Sequence, residues 1–155
     1  MPHDDSLDVQ AAHRHFSAIC FNRAWDLIRT ADRTPEQDDE MVELAHASFW
    51  HWTQRPDCEP IHRSIGTWQL ARVYALVGDG KTAWQFASRC LGLSQSLPAF
   101  YRGYAHEALA RAALVNGRRD LAHEHIALAE GLLNSVTDPD ERSLLTPDLE
   151  ELKAT

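Results

Sequence analysis

The feature that most constrains this chain is an internal repeat with a period of 39 residues. Residues 70–79 (LARVYALVGD) align with residues 109–118 (LARAALVNGR), sharing the opening Leu-Ala-Arg and a glycine at the ninth position. The small residues that follow, at 83–90, match those at 122–129 at the same offset, and residues 45–52 match at an offset of 38. A fixed period of this size is typical of stacked helical hairpins, because each hairpin buries its apolar stripe only against its neighbours.

Composition and apolar spacing agree on an all-α fold. Ala and Leu total 39 residues, whereas the strand-forming Ile and Val total 11. Apolar residues recur at three- and four-residue steps, which is the helical period. With 155 residues the chain is the size of one domain, so we predict a single domain over 1–155. About seven helices are predicted, at 8–31, 35–54, 60–77, 81–96, 98–116, 118–136 and 139–153.

Local signals place the helix ends. Thr34 is an expected N-cap, with Pro35 at the first helical position and Gln37 completing a capping box. Gly78 and Gly117 are expected to close the helices before them in a left-handed conformation. Pro147 is expected to break or kink the final helix into two short pieces, since it lacks an amide donor.

The spacing of small residues indicates how the hairpins pack. Two helices approach closely only where small residues face each other, which Ala71 with Ala83, and Ala110 with Ala122, can supply. At this point the chain resembles the tetratricopeptide repeat family. The family's Leu-small-x2-Tyr pattern, Gly-Asp turn and Ala-x3-aromatic-x2-Ala pattern are matched, with departures, by two sets of residues: Leu70, Ala71, Tyr74, Gly78, Asp79, Ala83 and Cys90, and Leu109, Ala110, Gly117, Ala122, Ile126 and Ala129.

The resemblance implies a short superhelix, or α-solenoid, of stacked antiparallel hairpins. Its parts would be a degenerate hairpin (8–54), two repeats (60–97 and 98–136) and a C-terminal capping helix (139–153). Residues 21–27 and 46–52 also look like a group of small, uncharacterised bacterial repeat proteins, a likeness that brings no activity with it.

In the family, the first helix of each hairpin lines a concave groove that binds peptides. Carried over by register, the groove residues are Trp68, Arg72, Tyr104, Glu107 and Arg111. Arg72 and Arg111 occupy equivalent repeat positions, so their guanidinium groups should project in parallel and could hold a peptide carboxylate or an acidic side chain. The alternative is a purely structural role, in which each arginine pairs with a nearby acidic side chain of the same chain, for example Arg111 with Glu107 one turn earlier.

A second candidate region is rich in aromatic and histidine side chains. It comprises Trp25, His46, Trp50, His51 and Trp52. A tryptophan-rich core is the favoured interpretation, because tryptophans are usually buried in bulk. The alternative is an aromatic pocket or an interface through which two copies form a homodimer.

Charge and cysteine content exclude several kinds of partner. The formal net charge of −8 argues against nucleic acid and anionic membranes, both of which require a basic face. The chain has no apolar run long enough to span a membrane and no signal-like start, and its three widely spaced cysteines are expected to be free thiols in the cytoplasm.

No group of residues in the sequence matches a complete catalytic, phosphate-binding or metal-binding motif. Residues 78–82 end like a phosphate-binding loop, but Ala75 stands where that motif needs a glycine, and a helix precedes it. Glu43 and His46 share a helical face, yet a bundle metal site needs further carboxylates, and His13/His15 and His123/His125 should point to different sides of their helices. We therefore expect no metal, no cofactor and no catalytic residue.

The sequence thus predicts a non-catalytic adaptor or scaffold that binds a protein or peptide partner, acidic or carboxylate-bearing, on the concave face of its hairpins. Two alternatives remain. One is a self-associating structural module that uses the Trp-rich second helix. The other is a metal-binding helical bundle that uses Glu43, His46 and His51.

Overall fold

A computed structural model describes residues 6–155 of the chain. This part of the chain contains seven α-helices and no strand, which confirms the all-α prediction. The helices are α1 (Val9–Ile28), α2 (Pro35–Thr53), α3 (Pro60–Leu76), α4 (Gly80–Ser94), α5 (Ala99–Val115), α6 (Arg119–Leu133) and α7 (Pro139–Lys153). Their ends lie within three residues of the predicted ones because caps, prolines and glycines fix them locally.

The chain divides into two compact units, an N-terminal unit (Met1–Cys58) and a C-terminal unit (Glu59–Thr155). The N-terminal unit is one hairpin in which α1 packs on α2. In the C-terminal unit α3 packs on α4 and α5 packs on α6, while α5 also contacts α3, α4 and α7. The single domain expected over 1–155, and the superhelix, stay predictions.

Small residues fill the contacts between the helices of the C-terminal unit. Ala71, Ala83, Ala110 and Ala122 are each at most 2% exposed, as are most of the other alanines that follow the helical period in α4 and α5. Because alanine adds only a methyl group beyond the backbone, helices lined with it can approach closely. The buried positions therefore fall where the repeat spacing placed them.

The two repeats end their first helices in the same way. Gly78 (φ 85°) and Gly117 (φ 71°) adopt the left-handed conformation, as predicted. The amide after each glycine donates to a carbonyl five residues earlier, Asp79 to Tyr74 at 2.9 Å and Arg118 to Ala113 at 2.8 Å. Thus the 39-residue period is a repeat of backbone geometry as well as of sequence.

The capping box at Thr34 is present, with the Gln37 amide donating to Thr34 and the Thr34 amide donating to the Gln37 side chain. The predicted break at Pro147 is wrong, because α7 runs unbroken from Pro139 to Lys153. Leu145 and Leu149, on either side of the proline, are at most 1% exposed, so packing offsets the hydrogen bond that Pro147 cannot make.

Candidate functional site

The five residues of the predicted groove do come together, with the carboxylate of Glu107 at their centre. Glu107 lies on α5 and is fully buried. From α3, the Trp68 indole nitrogen donates to Glu107 Oε2 at 3.0 Å and Arg72 donates to Oε1 at 3.3 Å. Arg111, one turn further along α5, donates its Nε to the same Oε1. We call these residues, with the α7 residues described next, the Glu107 cluster.

The acidic side chains of α7 complete the cluster. Tyr104 donates its hydroxyl to Asp148 at 2.8 Å. Arg111 donates to both carboxylate oxygens of Glu151, at 3.4 Å each, and lies 3.7 Å from Asp148. The guanidinium groups thus find acidic partners within the chain itself, and the open alternative, Arg111 with Glu107, is among the contacts made. The sequence missed Asp148 and Glu151, although both flank the apolar stripe Leu145–Leu149–Leu152 that turns α7 toward the core.

The register of the repeat explains this convergence. Trp68 and Glu107 are 39 residues apart and occupy equivalent positions on α3 and α5, as do Arg72 and Arg111. Since α3 packs on α5, equivalent positions lie side by side. Because arginine recurs at equivalent positions of the two repeats, the guanidinium groups of Arg72 and Arg111 both reach the Glu107 carboxylate.

Burial and charge shape the acidity of the cluster. Burial raises the pKa of Asp148, and the neighbouring Glu107 carboxylate raises it further. Burial and the Asp148 charge likewise raise the pKa of Tyr104, so its hydroxyl keeps its proton and stays a donor. The hydrogen bond from Arg111 lowers the pKa of the more exposed Glu151. The pKa values of the two α7 acids in the cluster are therefore shifted in opposite directions.

A cavity of about 160 Å³ opens beside the cluster, at the C-terminal ends of α3 and α5. Within the described residues, the Arg72 Nε is a buried polar atom without a hydrogen-bond partner. Leu76 and Val115 are 37% and 41% exposed at the cavity wall. The cavity is lined by Arg72, Ala75, Leu76, Arg111, Leu114, Val115, Leu152 and Thr155.

The aromatic and histidine side chains of the second predicted region do not form one cluster but make separate contacts within the N-terminal unit. His51 contacts His13 through their Nδ1 atoms, at 2.8 Å, and the Trp50 ring lies edge-on to both. Trp52 instead lies under the Arg55 guanidinium at 3.8 Å, and Trp25 lies near Arg29 at 5.3 Å. The structure places His46 on the exposed side of α2.

Trp50 itself is 54% exposed, so it is not part of a buried core. Phe16, whose ring lies 5.5 Å from His51, is 44% exposed. The aromatic region therefore presents a partly apolar surface on the N-terminal unit.

Residues 6–155 contain no group of three or more His, Cys, Asp or Glu side chains placed to hold a metal ion. No described helix combines the length and the apolar character needed to cross a membrane. Residues 78–82 follow α3 rather than a strand, and Gly80 packs against Asn116, whose side-chain amide donates to the Gly80 carbonyl at 3.0 Å.

No protein family, curated protein or solved structure matches the chain.

Proposed function

We propose that the chain is a non-catalytic binding module that holds a protein or peptide segment against the C-terminal ends of α3 and α5. The observation that carries this proposal is the cavity beside the Glu107 cluster, which Arg72 lines together with the exposed side chains of Leu76 and Val115. A ligand with an apolar side chain and a carboxylate would satisfy both kinds of group.

The proposal uses only part of the predicted groove. Glu107 and Arg111 are engaged with each other and with α7, so they would support the site rather than hold the ligand. Arg72 makes one long hydrogen bond to Glu107 and is the arginine with donor capacity left. Recognition of an acidic partner would therefore depend on Arg72, with apolar contacts from α3 and α5.

The test is site-specific photo-crosslinking in the native host cell, with the crosslinker replacing Leu76 or Val115. The matched control is Leu128, which is 52% exposed on α6 and does not line the cavity. We expect one partner to be captured from positions 76 and 115 and not from 128. Capture of the same proteins from all three positions would contradict the proposal.

A second variant tests the chemistry of the partner. Leu76→Asp places a negative charge at the cavity mouth, which should repel an acidic ligand and reduce capture from position 115 at least tenfold. Leu128→Asp should leave that capture unchanged. Equal capture from position 115 in the two variants would show that the partner is not acidic.

Self-association through the N-terminal unit is a second candidate function, favoured by the exposure of Trp50 and Phe16. Aromatic side chains are enriched at interface hot spots, so a second copy could bury this surface. Light scattering should then show a dimer at micromolar concentration that Trp50→Ala converts to a monomer. A wild-type monomer at this concentration would exclude the candidate.

A further inference from the structure

Each unit of the chain contains a pair of histidines whose Nδ1 atoms face each other across a hairpin. His13 on α1 and His51 on α2 are joined at 2.8 Å, and His106 on α5 and His125 on α6 are joined at 3.0 Å. These distances are those of N–H···N hydrogen bonds, with one ring donating and the other accepting. Both pairs therefore link the two helices of one hairpin.

The pair in the C-terminal unit is stacked and partly enclosed. The rings of His106 and His125 lie 5.2 Å apart and 25° from parallel, and the edge of Trp84 from α4 approaches His125 at 5.7 Å. The charged groups that act on the pair are Arg102 on α5 and Glu124 on α6. Burial lowers the pKa of His106, and His125 and Arg102 lower it further; burial also lowers the pKa of His125, against the effect of Glu124.

The pair in the N-terminal unit is covered by aromatic rings. His13 is 9% exposed. Trp50 lies edge-on to His13 at 5.4 Å and to His51 at 5.0 Å, and Phe16 lies 5.5 Å from His51. Burial and the neighbouring His13 lower the pKa of His51. The same arrangement thus occurs twice, in two units with different packing.

The number of protons on a histidine pair decides whether its hydrogen bond can form. The neutral pair has one Nδ1–H donor and one Nδ1 acceptor. A first proton can bind at Nε2 of the donor ring and strengthen the hydrogen bond, because the donor is then charged. The second proton can bind only at Nδ1 of the acceptor ring, because Nε2 of that ring already carries a hydrogen. It therefore removes the hydrogen bond and leaves two positive charges side by side.

We propose that these two imidazole pairs make the α1–α2 and α5–α6 hairpins acid-sensitive: each hairpin stays closed while its pair carries at most one extra proton and loosens when the second proton binds. The inference stands independently of the proposed binding function. In the unfolded chain each histidine takes up its proton near pH 6.5, so the unfolded state binds more protons below that pH. Stability is therefore full above about pH 6.5 and is lost as the pH falls below it.

The experiment compares urea unfolding of the full chain between pH 7.5 and pH 5.0. His106→Asn and His13→Asn keep an amide that can hydrogen-bond at the Nδ1 position but cannot titrate. Matched controls are His123→Asn and His15→Asn, because these histidines are exposed and lie two residues from a paired histidine on the same helix. We expect the wild-type unfolding constant to rise about tenfold per pH unit for each extra proton taken up.

That rise should be smaller in the His106 and His13 variants and unchanged in the two controls. If either variant keeps the full wild-type pH dependence, the corresponding pair is not acid-sensitive and the inference fails for that hairpin.

A titration of the imidazole nitrogens by NMR decides the matter even if a variant does not fold. In the wild-type chain each pair should titrate in two steps separated by at least about one pH unit, as coupled sites do. Single, independent steps for the four paired rings would overturn the inference.

Discussion

The two units hold their helices together by different means. In the C-terminal unit, alanines line the hairpins, and a fully buried carboxylate, Glu107, draws α3 and α5 together. In the N-terminal unit, hydroxyl groups do part of this work: Ser48 on α2 donates to the Ser17 carbonyl on α1 at 2.8 Å, and Arg55 donates to the Ser17 hydroxyl at 3.0 Å. The C-terminal unit thus holds a charged group in its core, whereas Ser17 and Ser48 link the two helices of the N-terminal unit through a neutral hydroxyl and a backbone carbonyl.

This difference matters because the loss of a buried charge and the loss of a neutral hydroxyl link destabilise a protein to different extents. A buried carboxylate with three donors costs a great deal when it is removed, since two guanidinium groups then lose their main partner. A serine link between two helices contributes about as much as one neutral hydrogen bond. The following variants test that contrast, beginning with the largest expected effect.

Glu107→Ala should destabilise the chain most. It leaves the guanidinium groups of Arg72 and Arg111 without their shared carboxylate, and we expect a loss of about 3–5 kcal/mol in the free energy of unfolding. Urea denaturation followed by circular dichroism measures it. Glu107→Gln keeps an acceptor for the Trp68 indole and should cost less; a loss below about 1 kcal/mol for Glu107→Ala would contradict a stabilising role of the cluster.

Gly80→Ala should have an intermediate effect. A Cβ atom at this position would overlap the Asn116 side chain, so the hydrogen bond from Asn116 to the Gly80 carbonyl must break or shift. We expect a loss of about 1–3 kcal/mol. The control is Gly92→Ala on the same helix, where a Cβ meets no atom within 4 Å.

Because alanine is the better helix former, Gly92→Ala should stabilise the chain by about 0.5–1 kcal/mol. A loss of unfolding free energy in Gly80→Ala together with a gain in Gly92→Ala would show that close packing at Gly80 causes the loss. A loss of the same size in both would show that close packing at Gly80 is not the cause.

Ser48→Ala should have the smallest effect of the three. Its hydroxyl is buried and links α2 to α1, so its removal should cost about 1 kcal/mol of unfolding free energy. Thr30→Ala serves as the control, since the Thr30 hydroxyl bonds only within its own helix end, to Asp26. If Ser48→Ala costs as much as Glu107→Ala, the proposed contrast between the units is wrong.

The number of helices and nearly all their ends could be predicted from the sequence, because they depend on residues close together in the chain. Thr34 with Gln37, Gly78 and Gly117 act within a few residues, and the structure has them in the expected roles. Pro147 was the exception: a local rule predicted a break, and packing of Leu145 and Leu149 against the rest of the unit overrode it.

The candidate site could be predicted only in part. The repeat register identified Trp68, Arg72, Tyr104, Glu107 and Arg111 as neighbours on the same side of the unit, and the structure brings them together. It gave no sign that Asp148 and Glu151 would bind the same side chains. A helix of α7's composition can dock in many places, and shape complementarity with α5 and α6 selects one.

What the sequence by itself determined is the all-helical character, the 39-residue period and the geometry of the turns, since each depends on backbone preferences and hydrophobic spacing over a few residues. The tertiary structure decided which charges neutralise Arg72 and Arg111, and which histidines pair. Apart from the Arg111–Glu107 contact within one helical turn, these contacts join residues 19 to 40 positions apart, such as His106 with His125 and Arg111 with Glu151. Their formation depends on helices docking at one distance and one rotation, which local preferences do not encode.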